Sequence, residues 1–333
     1  MTRAAVFGAG SWGTAFAQVL ADGGASSVTL WARRQEVAQE VRERHTNDDY
    51  LPGVELPPAV TGTTDPAEAA EGADLVVLAV PSQSLRDNLG RWAQVVPEDA
   101  LVVSLMKGIE RGTGLRMSQV VEAAGIERDR IVVVSGPNLS KEIAARQPAA
   151  SVVACTGLAA AERVASTIAP PYFRPYTQTD VVGAEIGGAV KNVIALGVGM
   201  AEGLGYGDNT KSSLITRGLA EISRLGEALG GDPATLMGLA GVGDLIATCM
   251  SPLSRNHRVG VALGQGRSVE EMVAVPHQTA EGVRSCRSVV DLAVGHGVDM
   301  PICQGVTAVV EGHVTPEQLT GALMSRARKH ERG

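Results

Sequence analysis

The chain has 333 residues, of which 44% are hydrophobic and 3% aromatic, and its formal net charge is −7. This length predicts two domains, and the apolar content excludes a mainly disordered chain. The acidic balance argues against general binding to nucleic acid or to anionic membranes, and it leaves room for a local basic pocket.

Residues 1–180 alternate between short apolar runs and helical stretches. The runs are mostly continuous rather than alternating, which is typical of strands buried on both faces of a parallel sheet. We predict strands at Ala4–Phe7, Val28–Trp31, Leu75–Ala79, Leu101–Ser104, Ile131–Val134, Ser151–Ala154 and Phe173–Tyr176. Strands that alternate with helices indicate right-handed βαβ units, so we predict an α/β domain with a doubly wound, mostly parallel sheet.

A glycine-rich turn, Gly8–Gly13 (GAGSWG), follows the first predicted strand and opens a helix. In this setting Gly8 permits the tight turn, and Gly10 lets a pyrophosphate approach the backbone. Gly13 lets the helix pack on the strand. The motif therefore predicts a dinucleotide site, and the alternative is a tight turn that binds no ligand.

Two arginines, Arg33 and Arg34, follow the second predicted strand. An NAD-specific site usually carries Asp or Glu about 20 residues past the glycine motif, bonded to the ribose 2′-hydroxyl. A guanidinium instead suits a 2′-phosphate. We therefore predict NADP(H) as the preferred cofactor and NAD(H) as the second one, unless one or both arginines are simply solvated.

Three later strands also end in polar or glycine-rich residues, namely Val80–Ser82, Ser104–Gly108 and Ser135–Asn138. Ligands of open parallel sheets lie beyond the carboxyl ends of the strands, so these ends outline a cofactor and substrate cleft. Lys107 is the one cation placed there. It could hold a substrate anion or a cofactor phosphate, and the alternative is an exposed loop lysine.

Beyond about Asp180 the β-rich runs end and helical patterns take over. We predict an all-α second domain, residues 181–333, with helices at 182–204, 211–229, 233–239, 255–264, 268–273, 281–296, 303–311 and 316–327. The first helix carries several glycines, and glycine costs ~1 kcal/mol at a helix-interior site. Close packing against a neighbouring helix, or the close approach of a ligand, would explain them.

One lysine, Lys191, lies inside this otherwise apolar first helix. Its neighbours three and four residues away are Gly187, Gly188, Ile194 and Ala195, so no local acidic side chain neutralises it. Burial would lower the pKa of this lysine toward neutrality and make it a usable proton donor and acceptor. The alternative is a lysine that reaches solvent from the edge of the helix.

Two further clusters stand out in the helical part. Gly241–Leu245 (GVGDL) places Asp244 in a glycine-rich turn, where it could orient Lys191, bond a substrate hydroxyl or merely cap the next helix. Ser254–Asn256 (SRN) places a hydroxyl, a guanidinium and an amide at a predicted helix start. That chemistry suits a phosphate, and the alternative is capping plus surface charge.

The combination of these motifs resembles the bacterial NAD(P)-dependent glycerol-3-phosphate dehydrogenases in order and spacing over nearly the whole chain. The resembling segments are Gly8–Ala15, Lys107–Glu110, Ser135–Pro137, Gly187–Asn192, Leu214–Gly218, Gly241–Leu245 and Ser254–Asn256. The resemblance implies a Rossmann domain followed by an α-helical domain of the 6-phosphogluconate dehydrogenase C-terminal-like type. It also implies a homodimer.

The resemblance implies the reversible NAD(P)H-dependent reduction of dihydroxyacetone phosphate to sn-glycerol 3-phosphate, an oxidoreductase reaction that supplies glycerophospholipid biosynthesis. It implies that Lys191 is the general acid and base and that its charge stabilises the developing alkoxide. The implied substrate site comprises Lys107, Gly136, Asn138, Lys191, Asn192, Asp244, Thr248, Ser254, Arg255 and Asn256. The implied cofactor contacts are Gly8, Gly10, Ser11, Trp12, Gly13, Arg33, Arg34, Tyr50, Lys107, Ser140, Arg255, Thr279 and Glu281.

The chain departs from the family pattern at Asn138, where many members carry Ser or Thr, and at Ser140, where many carry Ala. Both residues keep or add hydrogen-bonding capacity, so we expect altered contacts and retained function. Another dehydrogenase of the wider β-hydroxyacid and 6-phosphogluconate group is an alternative, and Ser254–Asn256 speaks against it. A non-catalytic NADPH-binding sensor is a second alternative. Lys191 argues against it, because a sensor would not need a lysine in an apolar helix.

The four cysteines, Cys155, Cys249, Cys286 and Cys303, are far apart and form no C-x-x-C pair, so we expect free thiols in a reducing compartment. No His, Cys and Asp cluster has metal-ligand spacing, so we expect no metal. The N-terminus leads straight into a strand, and no run approaches the ~20 apolar residues of a membrane helix. We therefore expect a soluble cytoplasmic protein without a membrane span.

Overall fold

The computed structural model describes residues 2–273, 280–327 and 330. Its strands are β1 (Arg3–Phe7), β2 (Ser27–Trp31), β3 (Val60–Thr63), β4 (Leu75–Leu78), β5 (Leu101–Ser104), β6 (Ile131–Ser135), β7 (Ala149–Ala154) and β8 (Phe173–Gln178). Its helices are α1 (Ser11–Asp22), α2 (Gln35–Arg44), α3 (Pro66–Ala70), α4 (Leu85–Trp92), α5 (Met117–Glu122), α6 (Ser140–Ala144), α7 (Leu158–Thr167), α8 (Val181–Gly203), α9 (Asp208–Ala228), α10 (Pro233–Leu236), α11 (Asp244–Met250), α12 (Arg255–Gly264), α13 (Val269–Val273), α14 (Glu281–Gly295), α15 (Pro301–Val310) and α16 (Pro316–Met324).

The strands form one eight-stranded sheet in the order β3-β2-β1-β4-β5-β6-β7-β8. Each neighbouring pair is parallel except β6 and β7, which are antiparallel. Alternate residues of β1 belong to different cores: Ala4 and Val6 to one, Ala5 and Phe7 to the other. The sheet is therefore buried on both faces, and the predicted α/β fold with a mostly parallel sheet is confirmed.

One strand at the edge of the sheet, β3, is absent from the strands predicted from the sequence. Its four residues read VTGT, and only Val60 is a large apolar residue, so no continuous apolar run marks it. Pairing with β2 forms the strand, with Val60 opposite Val28. Glycine is required in it because a Cβ on Gly62 would lie 2.3 Å from the carbonyl oxygen of Ala38 in α2.

The helical region after β8 is arranged around α8, which is buried along nearly its whole length. Its side chains and those of α9, α11, α12, α14 and α15 share one hydrophobic core. The segment before Asp244, predicted as a glycine-rich turn, has a different backbone conformation. Leu239–Gly243 form a π-helical turn that continues directly into α11. That turn packs closely, because a Cβ on Gly241 would lie 1.8 Å from the carbonyl oxygen of Leu236.

Close packing accounts for the glycines at the carboxyl-terminal half of α8. A Cβ on Gly199 would lie 2.2 Å from the carbonyl oxygen of His257, and one on Gly260 of α12 would lie 2.2 Å from that of Leu196. Gly203 and Gly264 repeat the arrangement one turn further on. The two helices therefore meet backbone against backbone, which only glycine allows.

The sequence expectation about apolar runs is wrong for α8. This helix has 23 residues and is long and apolar enough to cross a membrane by length and composition alone. The stretch Pro233–Met250 meets the same criterion. Helix α8 lies in the protein core, and burial on all sides explains its apolar composition.

All four cysteines are buried and unpaired, in agreement with the expected free thiols. Burial raises the pKa of the Cys249 thiol to about 12. At neutral pH this thiol is therefore protonated and a poor nucleophile.

We expect Gly199→Ala to lower the free energy of unfolding by about 1–3 kcal/mol, because the added methyl group forces α8 and α12 apart. Gly90→Ala is the matched control, since no heavy atom of the described residues beyond its chain neighbours and its own helix backbone lies within 4 Å of a Cβ at that helical glycine. The control should be neutral or stabilised by up to about 1 kcal/mol. Urea titration of both variants measures the difference, and equal stabilities would contradict the packing argument.

Candidate active site

The site lies where the carboxyl ends of the central parallel strands face the helical region. The strand order reverses at β1 and β4, and ligands of such sheets bind in the crevice at that switch point. Ser82, Lys107 and Gly136 follow the carboxyl ends of β4, β5 and β6. Helices α8, α11 and α14 bring Lys191, Asp244 and Glu281 to the same edge, as the contacts below show.

The glycine turn between β1 and α1 has the geometry that a dinucleotide needs. Gly8 has φ +128°, and a Cβ there would lie 2.5 Å from the carbonyl oxygen of Ala79. A Cβ on Gly13 would lie 1.9 Å from the Gly8 carbonyl oxygen, so these two glycines are required by close packing. At Gly10 no heavy atom of the described residues lies within 4 Å of a Cβ position. The turn is therefore tightly packed inside and open at Gly10, so that a ligand has room to approach the backbone there.

A segment of irregular chain lies over this turn, and Tyr50 is its one residue among the implied cofactor contacts. We call residues 45–56 the cover segment. Asn47 Nδ2 donates to the Ala9 carbonyl oxygen at 3.0 Å and to Thr14 Oγ1 at 2.8 Å. Ser11 Oγ donates to the Tyr50 carbonyl oxygen at 2.9 Å. These bonds hold irregular backbone against the glycine turn, and no periodic sequence pattern marks such a segment.

The two arginines after β2 have different surroundings. Arg33 is exposed, whereas Arg34 precedes α2 and forms an ion pair with Asp49 of the cover segment. The Arg34 guanidinium also lies 5.8 Å from the centre of the Tyr50 ring. The hydrogen bond that Arg34 donates to the Asp49 carboxylate is the main reason that the pKa of Arg34 is raised. Arg34 is thus not simply solvated.

The chemical centre is a cluster that we call the lysine clamp: Lys107, Lys191 and the Asp244 carboxylate between them. Asp244 Oδ1 accepts from Lys191 Nζ at 2.5 Å, and Oδ2 accepts from Lys107 Nζ at 2.6 Å. The side chain of Asp244 is 1% exposed, and those of Lys191 and Lys107 are 8% and 13% exposed. The alternatives given above, that Lys191 reaches solvent and that Lys107 is an exposed loop lysine, are therefore wrong. Asp244 does not cap α11, whose N-cap is Gly243.

Each clamp lysine keeps one N–H donor beyond those that the described residues use. An ammonium group has three donors. Lys191 Nζ also donates to Thr248 Oγ1 at 2.6 Å, and Lys107 Nζ donates to the Gly136 carbonyl oxygen at 2.8 Å. Two lysines and one aspartate carry a net charge of +1 when the lysines are protonated. The clamp can therefore donate to, and neutralise, an anionic oxygen.

The pKa of Lys107 is lowered to about 8. Burial of the ammonium group is the main cause, Asp244 opposes it, and the nearby charge of Lys191 lowers the pKa further. Lys107 therefore changes charge close to physiological pH, which an exposed lysine does not do.

Glycines in α8 give Lys107 its position. A Cβ on Gly188 would lie 2.9 Å from Ser135 Oγ and 3.2 Å from Lys107 Cγ. One on Gly187 would lie 2.3 Å from the carbonyl oxygen of Ala240 in the π-helical turn. The strand end and the turn therefore both approach the backbone of α8, one turn before Lys191.

Two asparagines connect the clamp to the beginning of α14. Asn256 Nδ2 donates to Asn192 Oδ1 at 2.9 Å, and Asn192 Nδ2 donates to the Lys107 carbonyl oxygen at 3.3 Å. The Gly282 N–H donates to Asn256 Oδ1 at 2.9 Å. The pair therefore fixes the spacing of three elements around the site.

Of the residues at the start of α12, Ser254 caps the helix and Arg255 is exposed. Ser254 Oγ accepts from the His257 N–H at 3.3 Å, so the capping alternative is present. Arg255, the first residue of α12, is exposed at that end. Desolvation lowers the pKa of its guanidinium, and the Glu281 carboxylate opposes that shift. Arg255 and Glu281 are thus close enough to interact electrostatically across the site.

Ser82, Asn138 and Ser140 follow the carboxyl ends of β4 and β6. Ser82 Oγ donates to Glu281 Oε2 at 2.5 Å. Ser82 belongs to one of the polar strand ends noted in the sequence, but it is not among the predicted site residues. Asn138 Oδ1 accepts from Ser151 Oγ at 3.3 Å, and Ser140 begins α6. Buried polar atoms without a hydrogen-bond partner among the described residues include Asn138 Nδ2 and Trp12 Nε1. Thr279 lies outside the described residues.

Within residues 2–273 and 280–327, no three His, Cys, Asp or Glu side chains group closely enough to hold a metal ion.

Comparison with known proteins gives two family matches and close relatives. The models for the N-terminus and the C-terminus of NAD-dependent glycerol-3-phosphate dehydrogenase match residues 3–161 and 180–321. A glycerol-3-phosphate dehydrogenase (NAD(P)+) of Streptomyces avermitilis is 61% identical over 331 residues, which are 99% of this chain and 98% of that protein. One from Thermobifida fusca is 56% identical over 333 residues, 100% of this chain and 99% of that one. The crystal structure of glycerol-3-phosphate dehydrogenase from Coxiella burnetii has a TM-score of 0.92 at 33% identity, and the match covers 98% of this chain and 99% of that chain.

Proposed function

This chain belongs to the NAD-dependent glycerol-3-phosphate dehydrogenase family, and from that premise we propose that Lys191 is the general acid and base of its reaction. The protein is an NAD(P)-dependent oxidoreductase that interconverts dihydroxyacetone phosphate and sn-glycerol 3-phosphate. The observation that carries the proposal for Lys191 is the lysine clamp, in which one buried carboxylate holds two ammonium groups.

Reduction of the ketone requires a proton at the C2 oxygen. The bound cofactor supplies the hydride for the carbon. Lys191 has two N–H donors engaged with Asp244 and Thr248, so its third donor is available to the C2 oxygen. Its charge stabilises the negative charge that develops on that oxygen. In the oxidative direction the neutral amine accepts the hydroxyl proton.

We propose that the remaining positive charges hold the substrate phosphate and fix its orientation. Arg255 supplies a guanidinium at the beginning of the ten-residue helix α12, where the backbone N–H groups also favour an anion. Lys107 offers its third donor to the substrate. The other proposed substrate contacts are Gly136, Asn138, Asn192, Asp244, Thr248, Ser254 and Asn256.

For the cofactor we propose NADP(H) over NAD(H), with the pyrophosphate over Gly10 and Arg33 and Arg34 toward the 2′-phosphate. The open space at Gly10 and the exposure of Arg33 support this position. The other proposed cofactor contacts are Gly8, Ser11, Trp12, Gly13, Tyr50, Lys107, Ser140, Arg255, Thr279 and Glu281.

We also propose that residues 1–180 and 181–333 are separate domains of a soluble, cytoplasmic homodimer that supplies glycerophospholipid synthesis.

Exposed apolar side chains around α11 support the dimer, because a second copy would remove them from water. They are Met237, Ile246, Met250 and Leu253. Sedimentation velocity should give twice the mass of 34.4 kDa, and a single species of one chain's mass would contradict the dimer.

We expect Lys191→Ala to lower kcat for dihydroxyacetone phosphate by about 10²–10⁴-fold, because the proton donor is lost. The affinity for NADPH should stay close to that of the unmodified protein. NADPH oxidation measures turnover, and the same assay with NADH gives the cofactor preference. Lys211→Ala is the control, since Lys211 of α9 pairs with Glu202 and Asp208 and should leave kcat unchanged. An unchanged kcat in Lys191→Ala would disprove the assigned role.

Lys107 predicts a pH dependence of substrate binding. Its pKa of about 8 makes it a cation below that pH and a neutral amine above it. The KM for dihydroxyacetone phosphate should therefore rise as the pH increases through 8, because a charge that attracts the phosphate is lost. Steady-state kinetics measure the rise, and Lys107→Arg should reduce it, since a guanidinium stays protonated. A KM that is constant across this range would exclude Lys107 as a substrate cation.

A further inference from the structure

The charge of one of the two arginines after β2 is already engaged within the protein. Arg34 pairs with Asp49 of the cover segment, whereas Arg33 is exposed and forms no ion pair with any described residue. Asp49, Tyr50 and Glu36 are the groups whose charges act on Arg34, and Asp49 is the one in hydrogen-bond contact.

The Arg34–Asp49 pair lies just beyond β2, where it can affect the choice between NADP and NAD. In a sheet of this strand order, residues just beyond β2 lie next to the ribose 2′ position of a bound dinucleotide. NADP carries a phosphate there and NAD carries a hydroxyl. A guanidinium attracts the phosphate and a carboxylate repels it, while the hydroxyl responds little to either charge.

The cover segment places Asp49 independently of Arg34. Asn47 and Tyr50, on either side of Asp49, are hydrogen-bonded to the glycine turn. The backbone N–H of Asp48 donates to Glu40 Oε1 at 2.8 Å. The backbone at Asp49 is therefore held near Arg34 by hydrogen bonds other than the ion pair.

We propose that Asp49 is a specificity-determining residue, which pairs with Arg34 and so withholds that guanidinium from the 2′-phosphate of the cofactor. This inference rests on the proposed cofactor site. The side chains of Arg34 and Asp49 are 37% and 47% exposed, and ion pairs this exposed are weak. Asp49 therefore reduces the advantage of NADPH without abolishing it, and the protein remains able to use NADH.

The test compares two neighbouring aspartates. Asp49→Asn removes the partner of Arg34. Asp48→Asn makes the same change in net charge one residue away, where the carboxylate accepts from the Gly53 N–H at 3.3 Å instead of from an arginine. Calorimetric titration without substrate gives the dissociation constants of NADPH and NADH, and of 2′,5′-ADP and 5′-AMP as fragments. In Asp49→Asn the affinity ratio of NADPH to NADH should rise about 2–5-fold, and in Asp48→Asn it should change by less than about 1.5-fold.

A double-mutant cycle with Arg34→Ala separates the two ways in which Asp49 could act. If Asp49 acts by withholding Arg34, Asp49→Asn should have no effect in the Arg34→Ala background. An equal rise in both backgrounds would overturn the proposal, since Asp49 would then repel the phosphate directly. Equal effects of Asp49→Asn and Asp48→Asn would overturn it as well.

The same titrations distinguish this inference from the cofactor proposal beneath it. If the unmodified protein binds 2′,5′-ADP no better than 5′-AMP, and Arg33→Ala changes neither, the proposed 2′-phosphate site is wrong. If the unmodified protein prefers 2′,5′-ADP and Asp49→Asn leaves that preference unchanged, only the role of Asp49 is overturned.

Discussion

The arrangement of the site depends on one buried carboxylate that pairs with two ammonium groups. An unpaired lysine in the protein interior loses its proton or costs several kcal/mol, and a buried ion pair is tolerated only with good geometry and further hydrogen bonds. Asp244 meets that condition for Lys107 and Lys191. Because these residues follow β5, lie in α8 and begin α11, the requirement fixes how the sheet and the helices meet. The glycines of α8 make that approach sterically feasible.

Most of the fold could be predicted because burial leaves a local pattern in the sequence. Central strands such as β4 and β5 are continuous apolar runs, and α8 is apolar throughout. Strand β3 has no such run, since it is formed by pairing with β2 and by the fit of Gly62 against α2. The π-helical turn before Asp244 could not be predicted for the same reason, because close backbone packing holds it in place.

The residues of the site could be predicted more readily than their partners. Lys191 is conspicuous in an apolar helix, and its pairing with Asp244, one of the alternatives given for that aspartate, is confirmed. Periodicity carries no information on a pairing across 53 residues, so the sequence alone could not choose this alternative over a helix cap. Likewise Arg34 is visible after a strand, but Asp49 lies in irregular chain whose position depends on Asn47 and Tyr50. Sequence therefore indicated which groups carry charge, and the structure showed which of those charges are already balanced.

The glycine contacts between α8 and α12 have a consequence for substrate choice. Helices that touch backbone to backbone cannot slide or separate without a steric clash or a void, so their relative position is rigid. Lys191 lies in one of these helices and Arg255 begins the other. The distance between the backbone positions of these two residues is thus set by main-chain packing. With the roles proposed for Lys191 and Arg255, a ligand would contact both side chains only if its reacting oxygen and its anionic end are spaced to match.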